Sequence, residues 1–409
     1  MPPPTDSPPR FVGLDVHKFS IMVAAVNKEQ QILLRPRRVA IPEFVDWAQT
    51  HLLSTDLVVL EASVNAGPLY DQLAPLVASV TVAHPLLVKA ISAAKVKTDA
   101  RDSTTLARLL AAGLIPAVWV PPPHVRDLRM LLAHRQRLIR QRTQTQNRLH
   151  SVLHAHQFLP PAGHSPFATI QRAWWQSLPL SALEHLRVQQ DLLLLDRLDP
   201  LVAELDAQLA QLSMTEPWAA QTPFLIQLPG IGVINALTLL AAIGDITRFA
   251  SAKKLVGYSG LGAGVHASGQ TYQTGRITKQ GRCELRTTMI EAAWVAVEHH
   301  PHWKAQFERL THSIGKRKAI VAIARKLLVA VWHILTTQVA DHHADPIRVA
   351  GTFLRWTRQK RPVTSPPLEH RAFVRQMLDR VGLGTEVEKF SYGRQTYVLP
   401  STTLAQNTG

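Results

Sequence analysis

The 409-residue chain holds a single cysteine, Cys283. One thiol excludes an internal disulfide and fits a reducing cytoplasm. Acidic residues are also scarce, 29 against 45 Lys and Arg, for a formal charge of +16. That imbalance favours a polyanionic partner, because Lys and Arg gain by releasing counterions from nucleic acid. The longest apolar segment, 319–335, is interrupted by Arg325 and Lys326. It reads as a buried amphipathic helix rather than a membrane span, and no membrane partner is expected. The start, Met1-Pro2-Pro3-Pro4, lacks the basic stretch and apolar run of a secretion leader, so none is expected. No short repeat is evident. What remains is a globular composition, 46% apolar, enough for two or three domains with their own cores.

Residues 11–120 alternate between short apolar runs and helical periods. Strands are expected at 11–16, 21–26 and 31–39 in quick succession, an antiparallel meander. A helix follows at 42–53, a strand at 57–60, a helix at 68–76, a strand at 80–83, and helical pattern from 86 to 110. Three antiparallel strands followed by alternating helices and strands match an α/β ribonuclease-H-like fold. Pro116 and Pro121-Pro122-Pro123 then break the pattern, and 113–123 reads as a domain linker.

Beyond the linker, 125–154 is a long polar helix bearing Arg126, Arg129, Arg135, Arg137, Arg140, Arg142 and Arg148. So many positive charges with few acids favour phosphate contact, with Arg135 and Arg142 among the nucleic-acid-binding candidates. Asp199-Pro200 reads as an N-cap with proline at the first helical position. Val202, Leu205, Leu209 and Leu212 then form a seam, either of a hairpin within one chain or of a dimer. In 216–340, Leu228-Pro229-Gly230-Ile231-Gly232 precedes a helix at 233–243 and resembles the turn of a helix-hairpin-helix motif, where backbone N–H groups approach a phosphate. The tail from about 340 is polar and marked by Pro346, Pro362, Pro366 and Pro367, and is expected to be partly irregular. The expected division is a disordered start at 1–10, an α/β domain at 11–120, a mostly α-helical coiled-coil or hairpin region at 121–215, a mostly α domain at 216–340, and an extension at 341–409.

Four acids stand out in this basic chain. Asp15 and Glu61 each end a strand-like run, and Asp99 and Asp102 lie three apart, on one face of a helix. Carboxylates grouped this way are the donor set of a hard divalent ion such as Mg²⁺ acting on phosphate. His17 and Lys18 follow the first aspartate, with a surface or a site role equally open. The pairs His299-His300 and His342-His343 invite a zinc reading. It is rejected, because there is one cysteine and no regular ligand spacing.

The order of these pieces resembles the DEDD transposases of the insertion sequence 110 family, including the IS-1111 group. The resemblance rests on Gly13-Leu14-Asp15-Val16-His17-Lys18, the strand ending in Glu61, and Lys97-Thr98-Asp99-Ala100-Arg101-Asp102. Farther on it rests on Leu228-Pro229-Gly230-Ile231-Gly232, Tyr258-Ser259-Gly260-Leu261, Ser268-Gly269 and Gly275-Arg276-Ile277-Thr278-Lys279-Gln280-Gly281. Leu285-Arg286 and Ala324-Arg325-Lys326-Leu327 complete the set, which spans roughly 11–338 in order. Two departures are local: Glu61 is followed by Ala62-Ser63-Val64-Asn65 where the family has Ala-Thr-Gly, and Gly260-Leu261 by Gly262-Ala263-Gly264 where it has a residue and proline. Neither removes a proposed ligand or nucleophile.

The resemblance implies a transposase or recombinase with a RuvC-like N-terminal domain and a C-terminal serine-bearing domain. Asp15, Glu61, Asp99 and Asp102 would bind Mg²⁺, and Ser268 would attack a DNA phosphate to form a phosphoserine link as a 3′-hydroxyl leaves. Ser259 is the competing serine. Arg276, Lys279, Arg282 and Arg286 would bind phosphates near the break, with Arg325 and Lys326 as helpers. The family also implies a structured bridge RNA that pairs with donor and target DNA, assembly as a dimer or tetramer, and a cytoplasmic, nucleoid-associated site of action. Two rivals remain: a hydrolytic Holliday-junction nuclease using the same tetrad with water, and a non-catalytic nucleic-acid-binding protein of degenerate fold.

Overall fold

The computed structural model describes residues 9–91, 99–268, 271–358 and 370–402. Most of the expected disordered start, Lys97, Thr98, Gly269, Pro362, Pro366 and Pro367 lie outside them. The chain forms two compact units that divide between Pro122 and Pro123.

The first unit contains β1 (Phe11–Val16), β2 (Ser20–Val26), β3 (Ile32–Ala40), α1 (Phe44–His51), β4 (Leu57–Glu61), α2 (Ala66–Leu73), β5 (Ser79–Ala83), α3 (Pro85–Ile91), α4 (Asp99–Ala111) and β6 (Ala117–Val118). Its six-stranded sheet has the order β3-β2-β1-β4-β5-β6. The first three strands are antiparallel, while β1, β4 and β5 run parallel. This mixed sheet is compatible with a ribonuclease-H-like domain. Within the stretch read as a linker, β6 pairs antiparallel to β5. Two residues are too few to show alternation, so pairing alone makes this strand.

Strand alternation sorts the core onto two faces. Val12, Leu14, Val58 and Leu60 meet Phe44 and Trp47 of α1 and Leu69 and Leu73 of α2. Phe11, Leu57 and Val59 point the other way, toward Leu106, Ala107 and Leu110 of α4. Gly13 lies on this second face, and α4 crosses it so closely that a Cβ there would stand 2.0 Å from the Ser103 carbonyl oxygen. Only glycine admits that crossing.

The second unit opens with α5 (Pro123–Ala155), α6 (Arg172–Ser177) and α7 (Ala182–Leu212). Helices α5 and α7 form an antiparallel hairpin within the chain. Leu138 packs on Leu198 and Val202, and Leu149 and Val152 pack with Val188, Leu192 and Leu195. Three cross-helix ion pairs line the seam: Arg135–Asp206 at 2.5 Å, Arg142–Asp199 at 2.6 Å and Arg148–Asp191 at 2.6 Å. The helix start expected at Asp199-Pro200 is corrected, since Pro200 lies inside α7. The helix starts at Ser181, whose side chain accepts from the Glu184 N–H while the Glu184 carboxylate accepts from the Ser181 N–H, a capping box.

There follow α8 (Trp218–Ile226), α9 (Val233–Ile243), α10 (Ala252–Ser259), β7 (Ala263–Ser268), β8 (Thr271–Ile277), α11 (Cys283–His299), α12 (Pro301–Ile314) and α13 (Lys316–Thr337). The turn between α8 and α9 has Gly230 at φ +80, pressed against Ala292 of α11, which excludes a side chain. Among the described residues α13 is the one helix long and apolar enough to cross a membrane; half of its apolar window is buried, including Ile323, Leu327 and Val331, with Arg325 and Lys326 exposed. The described residues of the tail include regular elements. They form α14 (Pro346–Thr357), α15 (His370–Arg380) and the hairpin β9 (Lys389–Tyr392) and β10 (Gln395–Val398). Buried Arg375 helps hold them together, donating to the Pro400 and Val387 carbonyls at 2.7 Å each and to the Gly384 carbonyl.

Candidate metal centre and serine hairpin

Asp15 stands on the α4 side of β1, in phase with Phe11 and Gly13. Glu61 stands on the same side of β4, in phase with Leu57 and Val59. The parallel register pairs Leu14 with Leu60, so the two carboxylates end neighbouring strands side by side. On α4, Ser103, Leu106 and Ala107 are buried. Asp99 and Asp102 extend that stripe one turn toward the helix start, where the macrodipole favours anions. The close crossing at Gly13 therefore places the acidic turn over the strand ends.

The ligand atoms of Asp15, His17 and Asp99 lie within 4.8 Å of one another. His17 Nε2 is 3.1 Å from an Asp15 carboxylate oxygen and 3.4 Å from an Asp99 oxygen. Arg38 pairs with that same Asp99 oxygen at 3.1 Å. Burial raises the Asp15 pKa above its ordinary value, the nearby His17 opposes the rise, and the charges of Asp102 and Asp99 reinforce it. Converging, mutually repelling carboxylates with one imidazole suit a divalent cation.

His17, left between two roles by the sequence, joins the acids. Arg38 was not singled out at all. Its signal lies in register: Asp15 pairs with Met22 and Met22 with Arg38, so the three lie in one line across three strands. Pairing of that kind is invisible in one sequence.

The serine and its basic neighbours lie in the second unit. Ser268 is exposed at the end of β7, paired with Thr271 across the hairpin. Ser259 is fully buried; its hydroxyl donates to the Val256 carbonyl at 2.7 Å and accepts from the Leu261 N–H at 3.2 Å. Burial and two satisfied bonds leave Ser259 a structural residue. Arg276 and Lys279 are exposed. Arg286 instead clasps the turn, donating to the Ser259 carbonyl at 3.0 Å and the Lys279 carbonyl at 3.3 Å. Burial pushes the Tyr258 phenol up, but a hydrogen bond to Arg282 and the charge of Arg248 outweigh it and bring the pKa below the usual value. The rings of His302 and His343 stack at 3.5 Å, with His342 and His300 alongside. Among the described residues only the Asp15, His17 and Asp99 group has the atom spacing of a metal site.

Comparison with known proteins gives the class. A DEDD transposase family model of the insertion sequence 110 type matches residues 12–157, which carry all four acids. The Transposase IS116/IS110/IS902 family matches residues 223–308, which carry Ser268 and its basic neighbours. A transposase of Sinorhizobium fredii is 28% identical over 66% of this chain and 74% of its own length. The transposase for insertion sequence element IS1111A of Coxiella burnetii is 24% identical over 80% and 90%. The pilin gene-inverting protein of Moraxella bovis is 26% identical over 80% and 95%. These matches define a DNA-processing enzyme of the transposase and recombinase class. The chain belongs to the insertion sequence 110 family of transposases.

Proposed function

We propose that this transposase cuts and rejoins DNA by transesterification, with Asp15, Glu61, Asp99 and Asp102 holding Mg²⁺ and Ser268 as nucleophile. The convergence of Asp15, His17 and Asp99, with Glu61 on the adjoining strand end, carries the reading. The ion supplies Lewis-acid polarisation of the scissile phosphate. The Ser268 oxygen forms a bond to phosphorus and gives up its proton. The bond from phosphorus to the 3′-oxygen breaks, and that oxygen leaves protonated as a 3′-hydroxyl. Attack on the phosphoserine link by a 3′-hydroxyl of another strand restores the serine and joins the DNA. One phosphodiester is exchanged for another, so no nucleotide is consumed. A guide RNA, supported by family and by net charge, and a dimeric or tetrameric assembly, supported by family, belong to the same reading. So does a role for the uncapped start of α9 in holding phosphate.

Strand exchange between element-end and target DNA in Mg²⁺ tests it. Ser268→Ala should abolish exchange and the covalent protein–DNA adduct, and Asp15→Asn or Asp102→Asn should do the same. Cleavage that survives Ser268→Ala identifies a hydrolytic nuclease. Activity indifferent to both aspartates rejects the metal site.

A further inference from the structure

The arginines of α5 divide between two faces. Arg135, Arg142 and Arg148 pair with aspartates of α7, Arg135 from a position that also lines a groove between α5, α9 and α11. Arg137 and Arg140, three apart, are exposed and line this groove of about 640 Å³. Arg282, preceding α11, lines the same groove. Arg129 builds it: its guanidinium donates to the Ala241 and Ala242 carbonyls at 2.7 and 3.1 Å and ties the end of α9 to α5. The other walls carry hydrogen-bonding groups, among them Asn235 and Glu291.

We propose that this groove holds one strand of nucleic acid, its phosphates on Arg137, Arg140 and Arg282 and its base edges toward Asn235 and Glu291. The inference rests on the nucleic-acid-processing reading above and adds where a strand lies. Size selects the single strand, since the volume is that of a small-ligand pocket. A duplex, whose major groove alone is about 12 Å wide, does not enter. Wall chemistry favours a ligand that carries donors beside its anions: Glu284 and Glu291 repel carboxylate and phosphate alike but accept from a base amine. Among the described residues no aromatic ring lines the groove, so recognition is by charge and hydrogen bonds rather than by stacking.

The test is fluorescence anisotropy of the full chain in EDTA, across a salt series. The probes are a labelled single-stranded DNA, an RNA of the same sequence, and the duplex DNA. The double variant Arg137→Ala/Arg140→Ala should weaken single-strand binding at least 10-fold. Two lost phosphate contacts should also lower the salt slope by about 1.4. Whichever single strand loses more identifies the occupant as DNA or RNA. A control, Arg187→Ala/Arg197→Ala on exposed positions of α7, should leave the slope unchanged. The proposal is overturned if single-strand affinity and slope are unchanged in a variant with native thermal stability, if the duplex loses as much, or if the control loses as much. Because no cleavage is read, failure of the Ser268 chemistry would leave this result standing, and the converse also holds.

Discussion

At the scale of single residues, two aspartates of the first unit respond oppositely to neutralisation. Asp56 is fully buried and takes two hydrogen bonds from Arg10, at 2.8 and 2.6 Å, plus the Leu53 N–H at 2.8 Å. Removing it strands a largely buried guanidinium, and Asp56→Ala should cost about 3 kcal/mol or more by urea unfolding. Asp15 is partly buried beside two like charges, and its raised pKa means the fold resists its ionisation. The unfolded chain loses this proton near its ordinary value of 3.8, before the folded protein does. The stability is therefore complete below that value and is lost as pH rises through the folded pKa. Asp15→Asn should abolish strand exchange yet stabilise the metal-free protein at neutral pH. Urea melts from acid to neutral pH should show the wild type losing ground to the variant. Sequence located Asp15 because it ends a strand-like run. It did not separate His17 from the surface or find Arg38, because both depend on which strands pair.

At the scale of elements, α4 and the α5–α7 hairpin show what sets position. Gly13→Ala would drive a methyl into the backbone of α4. Overpacking of this kind costs about 1–3 kcal/mol. A 1 Å displacement of Asp99 and Asp102 should lower the rate of strand exchange by about 100-fold. A smaller effect would detach the acidic turn from the Gly13 crossing. In the hairpin, apolar packing outweighs charge. Leu149→Ala empties a fully buried position and should cost about 2–5 kcal/mol, whereas Asp199→Ala breaks a half-exposed pair worth about 1 kcal/mol or less. Pro200 interrupts α7 hydrogen bonding but is carried by Leu198 and Val202 on either side. Pro200→Ala should raise stability by as much as about 3 kcal/mol. That is why Asp199-Pro200 misled as a helix start: local propensity pointed one way and tertiary packing the other. The capping box at Ser181 and Glu184 was the sequence signal for the true start.

At the scale of the whole molecule, the strands and helices of the first unit were legible because their periods of two and 3.6 are strong and their punctuation is clear. The sixth strand was not, because pairing makes it. Among the described residues of the tail, order rests in part on Arg375 bonding distant carbonyls, which composition cannot reveal. The acids of the candidate site were legible as residues, while the role proposed for Ser268 rests on the family pattern alone, since a serine beside glycine has no chemical signature of its own. The proposed use of a carboxylate metal centre together with a serine nucleophile is the central claim. The direct measurement is to quench a Mg²⁺ reaction on labelled element-end DNA, digest the protein, and map the nucleotide-bearing peptide by mass spectrometry. The account predicts a phosphodiester on Ser268, absent when Asp15 is Asn. A nucleotide on any other residue, or strand exchange with no covalent peptide at all, would contradict it.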